Sequence, residues 1–166
     1  MTSVKTRRRG GSPRRWRSAV SGYLRLPALA LATVTLFCGC LAQPGPTLTA
    51  AAAHDQAKAG TLTLIDIRTP AEWRETGIAA GAASIMMQDP KGPDGFAAAV
   101  LAQVRGDYAA PIALICRTGN RSAHMQQTLA DHGFTRVYSV ADGMAGSAAG
   151  PGWIRLGLPV TSCKDC

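Results

Sequence analysis

Apolar runs and short amphipathic segments alternate between residues 61 and 160. The run PIALIC (111–116) is wholly apolar, and TLTLIDI (61–67) is apolar and rich in β-branched residues, as in strands buried within a parallel sheet. AASIMM (82–87) and RVYSV (136–140) indicate two further short strands. The chain therefore has the strand content of a small central sheet.

Helical patterns fill the intervals between these strands. TPAEWRETG (69–77) begins with an N-cap threonine, has proline at the first helical position and ends on glycine. Apolar residues recur at helical spacing in DGFAAAVLAQVRGD (94–107), and SAHMQQTLADHGF (122–134) predicts a helix that ends at Gly133. This alternation predicts a three-layer α/β fold, in which helices flank a mainly parallel sheet of about five strands.

The length of 166 residues suits one domain with a tail, and the net charge of +8 is unevenly distributed. All of the excess lies before residue 40, where eight lysines and arginines occur without an acid; the remainder carries ten basic and ten acidic residues. The folded part is therefore not basic, which excludes nucleic-acid binding as its function.

The basic head runs into the apolar segment LPALALATVTLFCGCLA (26–42). This order predicts an export signal over residues 1–39, and hence a periplasmic or membrane-anchored protein that faces away from the cytoplasm. LFCGC resembles a lipobox in which Cys40 would carry lipid, so membrane contact is expected only through the signal or this anchor. The paired Arg14 and Arg15 leave the general and the twin-arginine export routes both open.

Domain boundaries follow from composition. Residues 40–60 are alanine-rich, show little strand alternation and are expected to form a linker with at most a short helical turn. The predicted domain occupies residues 61–160, and residues 161–166 form a C-terminal tail.

One cysteine lies where such folds place their chemistry. Cys116 ends a predicted strand, and open parallel sheets bind ligands beyond the carboxyl ends of their strands. The next helix is expected to begin near Ser122, so its free N–H groups would face the sulfur and favour the nucleophilic thiolate over a buried structural thiol. The loop between them combines tight-turn residues with positive charge: Arg117, Thr118, Gly119, Asn120 and Arg121.

Two blocks of sequence resemble the rhodanese family of sulfurtransferases: LIDIRTPAEWRETGIAAGA (64–82), and ICRTGNRSA (115–123) followed by GFTRVYSVADGM (133–144). The resemblance implies that the Cys116 thiolate takes sulfur from a small anionic donor such as thiosulfate and forms a persulfide. A thiol, including a protein thiol, or cyanide would then accept that sulfur, and no cofactor is implied. Backbone N–H groups from Arg117 to Ser122 would hold the persulfide, while Arg117 and Arg121 attract the donor.

Loop length separates this chain from related folds that cleave phosphate esters or reduce arsenate. Cysteine phosphatases need an arginine after five intervening residues, where this chain has Ser122. Arginine comes one position early, at Arg121, and the shorter loop suits a sulfur atom better than a tetrahedral phosphate.

The chain departs from the family pattern after its last predicted strand. Family members often have Gly-Gly-Met followed by tryptophan, whereas ADGMAGS (141–147) has Asp142 at the first glycine and Ser147 at the tryptophan. Trp153 is expected to cover that part of the core. The departure concerns the pocket rim, and hence the choice of acceptor.

Three charged residues match family positions and are expected to be structural groups near the site: Asp66, Arg68 and Glu72. Arg68 and Glu72 are close enough in sequence to pair. His124 is not needed as a base if N–H groups stabilise the thiolate. The histidines lack the spacing of a metal site, so no metal is expected.

The tail ends in a C-x-x-C motif, Cys163 and Cys166. In an exported chain a local disulfide is the favoured interpretation. A thiol pair that resolves a persulfide on Cys116 and one half of a metal site stay open as alternatives.

The sequence thus predicts a rhodanese-type sulfurtransferase that moves sulfane sulfur through a persulfide on Cys116. The alternative is a sulfur or redox relay, a binding module that acts on a protein partner without turning over small donors.

Overall fold

The computed structural model describes residues 45–164 and 166. The predicted export signal, Cys40 and the start of the predicted linker lie outside these residues. Within residues 45–164, no helix is long and apolar enough to cross a membrane.

The described residues form seven strands and five helices. The elements are, in chain order, β1 (Thr47–Leu48), α1 (Ala50–Lys58), β2 (Thr63–Asp66), α2 (Pro70–Thr76), β3 (Ile78–Ala79), β4 (Ala83–Ser84), α3 (Gly92–Gln103), β5 (Ile112–Ile115), α4 (Asn120–Asp131), β6 (Val137–Val140), α5 (Gly152–Arg155) and β7 (Val160–Thr161).

A five-stranded sheet forms the centre, with the strand order β1-β6-β5-β2-β4 and parallel pairing throughout. Strands β2 and β5 are interior strands of this sheet, and every residue of β5 is buried. The predicted three-layer α/β fold with a parallel sheet is confirmed. The long apolar run ending at Cys116 is therefore explained by burial on both faces of β5.

Successive residues of β5 contribute to two separate cores, because side chains alternate across a strand. Leu114 and Cys116 belong to the core that contains Phe96 of α3 and Leu129 of α4. Ile115 belongs to the opposite core, which includes residues of α1 and α5. The Cys116 side chain thus continues the alternation of β5 and lies on the side of the sheet that α3 and α4 cover.

The prediction of a linker over residues 40–60 is wrong for the described part. Strand β1 pairs with β6, placing Thr47 beside Ser139, and helix α1 buries Ala50 and Ala53 completely. The alanine-rich composition misled the prediction, because small side chains let this helix pack closely against the sheet. A strand of two residues is also too short to show an alternating pattern. The domain therefore begins before residue 61.

Asp142 connects the beginning of the domain to the loop after β6. Its carboxylate is buried and accepts a hydrogen bond of 2.8 Å from the Ala50 N–H at the start of α1. A carboxylate there also complements the positive end of the helix dipole. Trp153 is fully buried in the core that also contains Ala50, and its indole N–H donates to the Pro159 carbonyl at 2.8 Å.

The end of the chain is attached to the fold through a second, two-stranded sheet. Strand β7 runs antiparallel to β3, with Ala79 opposite Val160 and Ile78 opposite Thr161. The predicted boundary of the tail at residue 161 is therefore one residue early, because Thr161 is part of a strand. Beyond it, Cys163 and Cys166 form a disulfide with their Cα atoms 5.6 Å apart.

Candidate active site

Strand β5 brings Cys116 to the carboxyl edge of the sheet, and the chain then turns through three residues into α4. The Gly119 N–H donates a hydrogen bond to Cys116 Sγ at 3.2 Å. Helix α4 begins at Asn120, two residues before the expected start near Ser122, and Gly119 is its N-cap. The loop is therefore tighter than predicted, and the N-terminal residues of the helix belong to it.

Ser122 supports the sulfur from the first turn of α4. Its hydroxyl lies 3.6 Å from Cys116 Sγ and donates to the Gly119 carbonyl at 2.8 Å. It also lies 2.8 Å from the hydroxyl of Ser139 on β6. Both serines are buried, so this hydroxyl pair is a polar element within the core beside the sulfur. Ser122 thus braces the loop and contacts the sulfur at the same time.

The close contact between the cysteine loop and the loop after β6 needs glycine at two positions, one in each loop. Gly119 has a φ of 90°, and a Cβ atom there would lie 2.1 Å from the Ala141 carbonyl oxygen. Gly143 has a φ of 60°, and its Cβ atom would lie 2.6 Å from the Arg117 carbonyl oxygen. Two backbone segments therefore pass each other at a distance that excludes any side chain.

Backbone hydrogen bonds hold these two segments together. The Met144 N–H donates to the Cys116 carbonyl at 2.9 Å, and the Ala145 N–H donates to the Arg117 carbonyl at 2.9 Å. The loop after β6 thus satisfies the carbonyl groups of Cys116 and Arg117, while the Gly119 N–H of the cysteine loop donates to Cys116 Sγ.

Asp66 and Arg68 form a buried ion pair beside the loop. Arg68 Nε and Nη2 both donate to the Asp66 carboxylate, the latter at 2.8 Å, and both residues are at most 2% exposed. The guanidinium also donates to Thr76 Oγ1 and to the Gly77 carbonyl at the end of α2. The predicted pairing of Arg68 with Glu72 is wrong at the level of side chains, because the fully buried Asp66 requires the charge of Arg68.

Glu72 pairs instead with Arg121 of the loop. The two guanidinium nitrogens of Arg121 donate to the Glu72 carboxylate oxygens at 2.8 and 2.5 Å. Hydrogen bonding from Arg121 lowers the pKa of Glu72 from its ordinary 4.5 to about 2, and the Thr69 N–H and hydroxyl act in the same direction. The Glu72 carboxylate in turn raises the pKa of Arg121, with a further contribution from Cys116. The charge of Arg121 is therefore largely balanced by Glu72.

A small cavity of about 50 Å³ opens beside the loop. Arg117 and Glu75 lie on its wall, together with the apolar Met144, Ala145 and Ile154. Arg117 is exposed, whereas Cys116 is 1% exposed. The exposed side chains also include those of Thr118, Asn120 and His124. The hydrogen bonds of Cys116 Sγ are made with Gly119 and Ser122 instead.

The model of the rhodanese-like domain matches residues 49–149. The chain belongs to this family. The match begins at the N-cap of α1 and continues through the loop after β6, so it includes both backbone segments that enclose Cys116.

Relatives of this rhodanese-like chain include the thiosulfate sulfurtransferase GlpE of Actinobacillus pleuropneumoniae serotype 3 (strain JL03), which is 43% identical over 54 residues. That match covers 32% of this chain and 44% of the relative, so the chain spans less than half the length of the curated relatives it matches.

Among solved structures, Rv0390 from M. tuberculosis matches with a TM-score of 0.56 and 27% identity, over 73% of this chain and 100% of its own. The polysulfide-sulfur transferase homodimer of Wolinella succinogenes matches with a TM-score of 0.53 and 24% identity, over 72% and 80% of the two chains. At that identity the second likeness shows the fold alone.

The sequence located the cysteine loop of this rhodanese-like domain but not the partners of its charges. The structure brings Cys116, Gly119 and Ser122 together around the sulfur. Ser139 was missed, although a polar residue within the short apolar strand RVYSV was a signal for it. The Glu72–Arg121 pair was missed because 49 residues separate its members.

Replacement of Gly119 by alanine should destabilise the domain far more than the same change at Gly106. Gly106 has a similar φ of 85° but no atom within 4 Å of a Cβ atom. We expect Gly106→Ala to cost about 1–2 kcal/mol from backbone strain alone. Gly119→Ala should cost about 4 kcal/mol or more, because it adds a clash with a carbonyl oxygen. Urea unfolding of both variants measures this, and equal losses would contradict the described approach of the two loops.

The Glu72–Arg121 pair predicts an acid-dependent loss of stability. Folding lowers the Glu72 pKa, so the pair stabilises the fold above the unfolded-state value and ceases to do so as pH falls towards 2. Between about pH 5.5 and pH 2.5, wild type should lose about 1 kcal/mol more than Glu72→Gln, a small figure because the pair is partly exposed.

Urea unfolding at a series of pH values measures this difference. Glu75→Gln removes an exposed carboxylate from the same helix and serves as the matched control, with a profile expected to parallel wild type. Parallel profiles for wild type and Glu72→Gln would mean that the ion pair contributes nothing to folding.

Proposed function

We propose that this rhodanese-like protein is a sulfurtransferase that moves sulfane sulfur from a small anionic donor, such as thiosulfate, to a thiol or cyanide through a persulfide on Cys116. The observation that carries the proposal is the position of Cys116 Sγ at the start of α4, where it accepts a hydrogen bond from the Gly119 N–H. A helix N-terminus and a backbone donor stabilise a sulfur anion, which is the nucleophilic form.

The first half-reaction would form the persulfide. The Cys116 thiolate attacks the outer sulfur of thiosulfate, the sulfur–sulfur bond of the donor breaks, and its electron pair leaves with sulfite. The terminal sulfur of the new persulfide is again an anion, so the backbone N–H groups of the loop from Arg117 to Ser122 remain useful donors after the transfer.

The second half-reaction would regenerate the thiolate. An acceptor thiolate or cyanide attacks the terminal sulfur, and the bond to Cys116 Sγ breaks with its electron pair on Cys116. The same N–H donors stabilise the leaving thiolate, so one set of groups serves both steps of this ping-pong sequence.

Arg117 is the cation proposed to attract the donor. Arg121 was expected to share this role, but its guanidinium is already bound by Glu72. Arg117 is exposed and lies on the wall of the cavity beside the loop. A charge without a bound carboxylate steers an anion more effectively than one that is neutralised locally.

We place this activity outside the cytoplasm. The basic and apolar pattern of residues 1–39 supports export, and the disulfide between Cys163 and Cys166 suits an oxidising compartment. A lipid on Cys40 would keep the domain at a membrane surface.

A sulfur or redox relay is the second candidate function. The near-complete burial of Cys116 and the small size of the neighbouring cavity favour it, since both restrict access by free small molecules. Steady-state turnover with thiosulfate and cyanide separates the two functions. Negligible turnover together with a partner protein trapped on Cys116 would favour the relay.

Incubation of the reduced protein with thiosulfate should release sulfite and add the mass of one sulfur to the chain. Intact-mass spectrometry measures the adduct, and Cys116→Ser should show neither the adduct nor sulfite. An adduct that persists in Cys116→Ser, or no adduct on the reduced wild-type protein, would refute the assignment of the nucleophile.

Replacement of Arg117 by glutamine should raise the KM for thiosulfate by about tenfold, because a charge-assisted contact with the donor is lost. The value of kcat with saturating thiosulfate should change little, since Arg117 is not assigned to the sulfur itself. Arg136→Gln removes an exposed arginine that directly precedes β6, and it is the matched control. Equal KM values for the two variants would remove Arg117 from donor recognition.

A further inference from the structure

The C-terminal cysteine pair is not used by the proposed transfer reaction. Cys163 and Cys166 form a disulfide, while Cys116 is the free cysteine among the described residues. Both members of the pair are half-buried, so external thiols have access to the disulfide. A C-x-x-C spacing is the arrangement that thiol–disulfide oxidoreductases use. The chain therefore carries a redox-capable pair in addition to its nucleophile.

The fold holds this pair against the helix that borders the active-site cavity. Strand β7 pairs with β3, which directly follows α2, and the Arg74 guanidinium of α2 donates to the Cys166 carbonyl. The adjacent Glu75 and Thr76 line the same small cavity as Arg117. The C-terminal turn of α2 thus separates the cysteine pair from the cysteine loop.

The chain beyond β7 is short and is anchored at its start by the pairing of β7 with β3. Residues 162–166 would span about 17 Å if fully extended. Thr161 is fixed by its pairing with Ile78, so the pair stays near α2 even when Arg74 releases Cys166. Such a short tether keeps the thiols concentrated around α2, the helix that borders the cavity.

We propose that Cys163 and Cys166, after an external dithiol has reduced their disulfide, are the internal acceptor of the sulfane sulfur on Cys116, and that the protein releases this sulfur as hydrogen sulfide. The inference rests on the proposed persulfide. It assigns a further activity to the chain, the reduction of sulfane sulfur by its own dithiol.

The reaction balances in two steps. The Cys166 thiolate attacks the terminal sulfur of the Cys116 persulfide, so the persulfide moves to Cys166 and Cys116 leaves as a thiolate. The Cys163 thiolate then attacks Cys166 Sγ, the disulfide forms, and the terminal sulfur leaves with its electron pair and is protonated to hydrogen sulfide. The sulfane sulfur gains two electrons, which the dithiol loses on becoming the disulfide.

A single-turnover experiment on the full-length chain tests this inference. The protein is reduced with dithiothreitol, freed of reductant without air and given one equivalent of thiosulfate. Wild type should release one sulfite and one sulfide per chain, and its final mass should be that of the reduced chain less two hydrogens. After the persulfide has formed, the first-order rate constant of the step that releases sulfide should not change on dilution, because that step is intramolecular.

The double variant Cys163→Ser/Cys166→Ser is the matched control. It should release sulfite but no sulfide, and it should retain the mass of one sulfur on Cys116. Wild type with its disulfide left intact should behave in the same way, which tests the pair without any substitution.

The outcomes separate this inference from the proposed function. Sulfite release with a stable persulfide on reduced wild type, or equal sulfide release from wild type and the double variant, would overturn the role of the pair and leave the sulfurtransferase intact. The absence of both sulfite and persulfide from every variant would overturn the proposed function itself.

Discussion

The site depends on the close approach of two backbone loops, the one that follows β5 and the one that follows β6. They are in contact where Gly119 meets Ala141 and where Gly143 meets Arg117, and a Cβ atom at either glycine would collide with a carbonyl oxygen. This approach directs the carbonyl groups of the cysteine loop towards the second loop. The Gly119 N–H of the same loop donates to Cys116 Sγ, and a sulfur anion is the species that such a donor stabilises. The surroundings of Cys116 are thus determined by backbone packing more than by any neighbouring side chain.

Charge around this loop is arranged so that little of it remains unbalanced. The buried Asp66 carboxylate is neutralised by Arg68, which also fastens the end of α2. Glu72, on that same helix, neutralises Arg121 of the loop. The two ion pairs therefore hold α2 beside the cysteine loop. Arg117 remains as the exposed cation at the cavity.

Both ends of the described domain contribute to the region around the site. At the beginning, α1 is joined to the loop after β6 by the hydrogen bond from Ala50 to Asp142. At the end, β7 pairs with β3 and brings Cys163 and Cys166 alongside α2. The departure from the usual rhodanese pattern at Asp142 therefore lies at the border of the site rather than at Cys116.

By itself, the sequence determined the local and short-range features of this protein. Apolar runs identified the central strands β2, β5 and β6, and the spacing from Cys116 to Ser122 identified the loop, because strand burial and turn geometry depend on neighbouring residues. The tertiary structure alone decided that Glu72 pairs with Arg121 and that Arg68 turns back to Asp66. Those choices depend on which surfaces meet when helix α2 packs beside the loop. Residues 49 positions apart leave no mark of such a contact in periodicity or spacing.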